Sequence, residues 1–170
     1  QFKVAPQVNF TYEKRKFGQL SFNYNYSVVP TSFDAYYQEL IYKGNRQFTK
    51  NNILNYELFG GSIFSLNYRK SSGINSGIEL GFMYQIQNKS IGYNSLFTKS
   101  YTTNEQVVVD GMEMISPSFT YKYFLLPIKS KIQFRTTYSL IKSSVIVNDK
   151  LIRNSFSGYN FELETKSGFT

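Results

Sequence analysis

QLSFNYNYSV, residues 19–28, alternates without a break. Leu20, Phe22, Tyr24, Tyr26 and Val28 take every second position, with Gln19, Ser21, Asn23, Asn25 and Ser27 between them. Side chains of an extended chain point to opposite faces with a period of two. The stretch therefore predicts a strand with one apolar and one hydrophilic face. Something apolar must cover the first face, and something wet must touch the second.

The stretch has a partner upstream. Phe2, Val4, Pro6, Val8, Phe10 and Tyr12 share a parity, and EKRKFG (13–18) follows them as a charged connection closed by Gly18. Setting Tyr12 opposite Leu20 brings Phe10 to Phe22 and Val8 to Tyr24, the matching of faces that an antiparallel hairpin requires. The same alternation returns at Leu54–Leu58, Phe64–Tyr68, Ile78–Ile86, Phe119–Tyr123, Ile132–Leu140 and Tyr159–Leu163. Gly60-Gly61-Ser62 predicts a three-residue turn pairing Leu58 with Phe64. The competing reading is one strand running through 54–68, because the even register never breaks. A turn at Asp149-Lys150 predicts Tyr138 beside Phe161 and Leu140 beside Tyr159. Residues 29–51 break the pattern and read as a long connection, with a weak helical signal at 33–40. Residues 88–111 are polar and looser, and read as strand extensions and a large loop. The sum is about six to eight strands, all antiparallel, with short and long connections in alternation.

Composition narrows the class. The chain of 170 residues has 15 Tyr and 16 Phe but only two Ala, Ala5 and Ala35, and its mean hydropathy is negative. Aromatics among Asn, Ser, Thr and Gly suit a pleated surface. There is no Cys and no His, which removes disulfides, thiol nucleophiles, the commonest general base and the commonest transition-metal ligand. The net charge is +8, yet no dense basic run exists beyond Lys14-Arg15-Lys16, so no nucleic-acid partner is expected. No apolar stretch approaches the roughly 20 residues of a membrane-spanning helix. No signal peptide is read, and the alternation already runs near Gln1 and still runs near Thr170, so the chain reads as part of something larger.

Two architectures use such strands. A soluble sandwich or barrel turns the apolar face inward, whereas a membrane barrel turns it out to lipid. The apolar face here is wide and aromatic, and the opposite face is Asn, Ser, Thr, Gln, Lys, Arg and Glu. The clearest strands carry about nine to eleven alternating residues, the length that crosses an outer membrane at a tilt. The fold expected is all-β: an antiparallel transmembrane β-barrel segment, residues 1–170 forming part of one outer-membrane barrel domain. A lipid-spanning sheet must close, so further strands are expected. The lipid-facing set is Phe10, Tyr12, Leu20, Phe22, Tyr24, Tyr26, Phe64, Leu66, Tyr121, Phe134, Tyr138 and Phe161. Phe2, Tyr26 and Tyr123, near strand ends, fit aromatic girdles.

NYSVVPTSFDAYYQELIYKGNRQFTKNN (25–52) resembles the segment of Bacteroidota-type TonB-dependent receptors in which a strand ends in Pro, a loop follows with an aromatic-Asp pair and a Gly-Asn pair, and the next strand begins. The matching residues are Pro30, Phe33, Asp34, Leu40, Gly44 and Asn45. The family's Gly-Asn-Pro is here Gly44-Asn45-Arg46. The resemblance implies a barrel of about 22 strands filled by a plug, neither plug nor signal peptide being present in this stretch. It implies transport across the outer membrane of a Gram-negative bacterium, driven through TonB, with this chain supplying wall and loop surface. The implied partners are outer-membrane lipid and lipopolysaccharide, the remainder of the same barrel, TonB through the plug, and other envelope proteins. The alternative is a structural or scaffolding barrel subunit of an envelope export or assembly complex.

No catalytic constellation emerges, so no enzyme, cofactor or metal is expected. Asp34, Asp110 and Asp149 sit in loops or turns, where Asp serves local hydrogen bonding. Glu162 and Glu164 share a strand face and could pair or hold a cation, but a wet wall explains them. Tyr36, Tyr37 and Tyr42 in the long connection are the candidate ligand-contact residues, by stacking on a sugar or peptide; packing onto the rim explains them equally.

Overall fold

The computed structural model describes residues 5–30, 41–44, 46–51, 58–73 and 75–167. The described chain is all-β. Its strands are β1 (Gln7–Lys14), β2 (Gly18–Pro30), β3 (Ile41–Gly44), β4 (Gln47–Asn51), β5 (Leu58–Ser72), β6 (Ser76–Gln87), β7 (Lys89–Phe97), β8 (Thr102–Asp110), β9 (Glu113–Leu125), β10 (Ser130–Val147) and β11 (Lys150–Ser167). They form one open sheet in which β1-β2-β5-β6-β9-β10-β11 is a continuous antiparallel run. The connections 15–17 and 126–129 lie at one end of this run, where β5 ends and β6 begins. The β3–β4 and β7–β8 hairpins are inserted into connections at the other end.

The first hairpin has the predicted register, with Phe10 opposite Phe22, Tyr12 opposite Leu20 and Val8 opposite Tyr24. Gly18 closes its turn at φ 106°, a conformation an L side chain rarely adopts, and the Arg69 carbonyl fills the space a Cβ would need.

Three expectations are corrected. Gly60-Gly61-Ser62 is not a turn. β5 runs straight through it, and Gly60 and Gly61 pair with Val28 and Ser27 of β2. These glycines serve close approach: the Tyr26 ring lies where a Gly60 Cβ would stand. The last hairpin turns at Asn148-Asp149, one residue earlier than expected, so Tyr138 faces Tyr159 and Leu140 faces Ser157. Both turn residues have positive φ, 47° and 61°, as a two-residue type I′ turn demands, and Asn and Asp tolerate that region better than Lys. Finally, the sheet has 11 strands rather than six to eight, and it is mixed. Residues 88–111 form the β7–β8 hairpin, with β7 meeting β10 and β4 meeting β8 in parallel. The weak helical signal at 33–40 lies outside the described residues.

Burial is inverted relative to a soluble domain. Among the described residues only Phe59 (6% exposed) and Val109 are buried apolar side chains, whereas Phe161 and Leu163 are 68% and 70% exposed. Buried Ser116, Thr120 and Gln133 all stand on the hydrophilic face.

Gly60→Ala should therefore push a methyl into the Tyr26 ring and cost about 1–3 kcal/mol, the usual penalty of overpacking. Gly158→Ala meets nothing within 4 Å and should stay within about 0.5 kcal/mol of the parent. Denaturant titration of the two variants checks the contrast; equal midpoints would mean that Gly60 is not set by Tyr26.

Candidate functional site

Because antiparallel partners share a face, the registers extend each strand's apolar positions into rows across the sheet. One row reads Val8, Tyr24, Phe64, Tyr84, Ile115, Leu140; the next reads Phe10, Phe22, Leu66, Phe82, Pro117. A third reads Tyr12, Leu20, Tyr68, Leu80, Phe119, Thr136, Phe161. All twelve residues expected to face lipid lie on this one face. Their rings meet across strands: Tyr24–Phe64 at 4.7 Å, Phe64–Tyr84 at 6.1 Å and Tyr138–Tyr159 at 4.8 Å. Toward the short turns, Phe17 packs edge-on against Tyr12 and Tyr68, and the Tyr68 hydroxyl donates to the Phe17 carbonyl at 2.6 Å. Toward the long connections the face ends in charge. Lys142 Nζ donates to Glu113 Oε2 at 3.0 Å and the Tyr84 hydroxyl to Oε1 at 3.1 Å. Those two hydrogen bonds, Lys142's the stronger, hold the Glu113 carboxyl below the usual carboxylate range.

The opposite face curls around a cleft of about 540 Å³ lined by Asn67, Arg69, Glu79, Ser118, Thr120 and Arg135. One row of it, Glu13, Gln19, Arg69, Glu79, Thr120, Arg135, Glu162, carries alternating charge across seven strands. Glu79 is the hub. It pairs with Arg69 on one side and accepts from Lys122 Nζ at 2.7 Å on the other. Glu162 reaches Arg135 at 3.6 Å, and Glu164 reaches Lys166 at 2.6 Å, so each of the two carboxylates on this strand face has a cation of its own. Toward the long connections the same face carries a row that sequence reading missed: Ile63, Met114 and Ile141, with Asn25 and Gln85 among them. Phe59, farther along β5 on the same parity, is one of the two buried apolar side chains.

The long connections are pinned by Asn94, which is 4% exposed. Its Nδ2 donates to Asp149 Oδ1 at 2.7 Å, and its Oδ1 accepts from Asp149 N at 3.2 Å. Asn148 Oδ1 accepts from Phe97 N at 2.9 Å, and Asn148 N donates to the Ser95 carbonyl at 3.0 Å. Four hydrogen bonds thus fasten the β7–β8 hairpin to the β10–β11 turn. Asp149 stands in a turn as expected, but its hydrogen bonds run to Asn94, far away in sequence, rather than to its own turn; Asp110 ends β8 and sits 3.8 Å from Arg153.

Of the loop tyrosines, Tyr36 and Tyr37 lie outside the described residues, as do Phe33, Asp34, Leu40 and Asn45. Tyr42 is exposed and packs on Phe48 at 5.5 Å, and Phe48 meets Tyr101 edge-on at 5.8 Å. Phe48 and Tyr101 were not legible as its neighbours, because Tyr101 arrives from a different connection through the parallel β4–β8 pairing. No group of His, Cys, Asp and Glu that could hold a metal ion occurs among the described residues. No helix among them is long and apolar enough to cross a membrane, a criterion that does not apply to strands. Comparison with known proteins finds no matching family model, curated relative or solved structure.

Glu79→Ala should cost about 1.5–3 kcal/mol, the range for charge-assisted hydrogen bonds, because it strands two cations. Glu162→Ala removes only an exposed pair and should cost less than about 1 kcal/mol. Asn94→Ala should leave the Glu79 region untouched and speed amide hydrogen exchange selectively in β7, β8 and the 148–149 turn. Exchange rising equally in β2 and β5 would show that Asn94 is not a local fastener.

Proposed function

We propose that this sheet is a stretch of the wall of an outer-membrane β-barrel, of the kind used by TonB-dependent uptake receptors. The observation that carries the reading is the inverted polarity: the aromatic rows are exposed on one face, while the charged and hydroxyl rows line a cleft on the other. A soluble sheet of this width covers its apolar face with a second layer. Here no protein layer covers it among the described residues, and lipid supplies the missing cover.

Dimensions and ends are in keeping. The apolar positions of β9 run from Ile115 to Tyr123, in keeping with the roughly nine to eleven residues of a tilted crossing strand. The band closes in the Tyr12–Phe17–Tyr68 cluster at one end and in the Tyr84 hydroxyl and the Glu113–Lys142 pair at the other. Aromatic girdles of this sort favour the two membrane–water interfaces. Short turns at one end and inserted hairpins at the other match the asymmetry of outer-membrane barrels. An open ladder edge is costly in hydrocarbon, so β1 and β11 require further strands on their outer sides. The uptake assignment within this class rests on the resemblance around Pro30 and Gly44. In that reading the Tyr42–Phe48–Tyr101 cluster belongs to the ligand-facing loops.

The chain has no Cys, so a single introduced thiol is unique. Labels at Phe22→Cys, Leu66→Cys and Phe161→Cys should be quenched by brominated lipid. Labels at Asn23→Cys and Ser65→Cys should be quenched by an aqueous quencher. Aqueous quenching at both sets would overturn the membrane assignment. The intact mass of the native protein extracted from outer membranes in detergent tests the rest. A mass several times 19.8 kDa, with a plug and TonB box in the same chain, is expected. A mass near 19.8 kDa would overturn the wall-segment reading, and a large barrel lacking plug and box would replace uptake by a scaffolding role.

A further inference from the structure

Lys14, Arg15 and Lys16 stand at the short-turn end of the sheet, where β1 passes into β2. The Phe17 amide donates to the Lys14 carbonyl at 2.9 Å, which closes the turn and lays the Phe17 ring against Tyr12 and Tyr68 of the apolar face. The registers bring a second lysine to the same place. Lys14 faces Gly18, and Gln19 faces Arg69, so Lys70 lies on the other side of Gly18. A Cβ at Gly18 would stand 3.2 Å from the Cβ of Lys70. Lys14 and Lys70 thus share the apolar face, two strand spacings or about 10 Å apart, with only a glycine between them. Tyr12 and Tyr68 occupy the next row toward the middle of the band.

Charge at this corner has one sign. Lys14, Arg15, Lys16 and Lys70 are all exposed, and none of them belongs to an ion pair among the described residues. Glu13 points to the hydrophilic face, in the row of Arg69 and Glu79. Among the described residues of the seven-strand run, the one carboxylate on the apolar face is Glu113, which stands at the opposite end with Lys142.

We infer that this corner binds an anionic glycerophospholipid headgroup, of the phosphoglycerol type. The inference rests on the membrane reading above and adds a specific lipid contact to it. Short turns of outer-membrane barrels face the periplasm, where the leaflet is built of glycerophospholipid. The lysine stems run over the apolar face and carry their ammonium groups to its edge. There Lys14 and Lys70 take the phosphate from two sides, and Arg15 and Lys16 add attraction from the turn. The glycerol and first methylenes lie over Tyr12, Phe17 and Tyr68. A zwitterionic headgroup would bring its own cation into a field of four cations with no carboxylate to receive it.

The test uses the full-length native protein in nanodiscs made from equal parts of phosphoglycerol, phosphoethanolamine and phosphocholine lipids with identical acyl chains. Lipids retained on detergent release are counted by native mass spectrometry. Retention of the phosphoglycerol lipid should exceed that of each of the others by about twentyfold, since each lysine near a membrane surface favours anionic lipid by about fivefold. Lys14→Gln and Lys70→Gln should each cut the preference about fivefold, and the double substitution should remove most of it. Lys150→Gln at the far end should leave it unchanged. Equal retention of the three lipids, or a preference that survives the double substitution, overturns the inference. A preference abolished by inorganic phosphate but not by chloride of equal ionic strength overturns the lipid as the ligand and leaves free phosphate in its place. A label at Phe161→Cys in the same discs separates the two readings. Lipid quenching there without headgroup preference defeats the headgroup inference alone, and aqueous quenching there defeats the membrane reading beneath it.

Discussion

Everything in this molecule depends on the backbone ladder holding seven strands in one register of faces. Because side chains alternate with a period of two, a slip of one residue in any pairing would send a row of Phe, Tyr and Leu to the charged side and a row of Asn, Ser and Arg to the apolar side. Instead Phe10, Phe22, Leu66 and Phe82 stand side by side through four consecutive strands, and their partners in sequence line the cleft. The two faces reinforce the same choice. Ring contacts such as Tyr24–Phe64 reward it on one side, and the Arg69–Glu79–Lys122 cluster rewards it on the other. After a slip of one residue Arg69 would stand opposite Ile78 or Leu80, and its pairing with Glu79 would be lost.

The absence of a large buried core among the described residues follows from the same register. With apolar side chains on one face of a single layer, burial of Phe59 and Val109 cannot stabilise the sheet as a soluble domain is stabilised. The free energy must come from whatever solvent covers the aromatic face. In the proposed reading this is lipid, with the hydroxyls of Tyr68 and Tyr84 facing the two boundaries. The same logic makes the ends of the sheet the informative places, since there the apolar rows stop and charged side chains such as Glu113, Lys142 and Arg153 begin.

The long-connection end has a different physics. Its hairpins are short and joined to the wall by few strand pairs, and only two residue pairs join β7 to β10. A buried side-chain amide, Asn94, replaces extended pairing there, using both its donor and its acceptor on a single turn residue. That turn exists because Asn148 and Asp149 accept positive φ. A local conformational preference at the tip of β10 thus determines where a hairpin from the preceding insertion can dock.

What the sequence determined by itself was the direction of each side chain: which residues of QLSFNYNYSV and its fellows share a face, the register of the first hairpin, and the all-β class. Side-chain direction in a strand is a local property, so a period of two is legible without knowing any partner. The tertiary structure alone decided which strands are neighbours. β6 lies beside β9 although a whole hairpin intervenes, β4 runs parallel to β8, and β5 passes through Gly60-Gly61 because Tyr26 of the adjacent strand needs the space. The turn at 148–149 belongs with these. The residues at 149–150 suggested another, and only the stereochemistry of two consecutive positive φ values, fixed against Asn94 from elsewhere in the chain, selected it. These are choices among non-local pairings of similar local merit, and their physical reasons lie in side chains far apart in sequence.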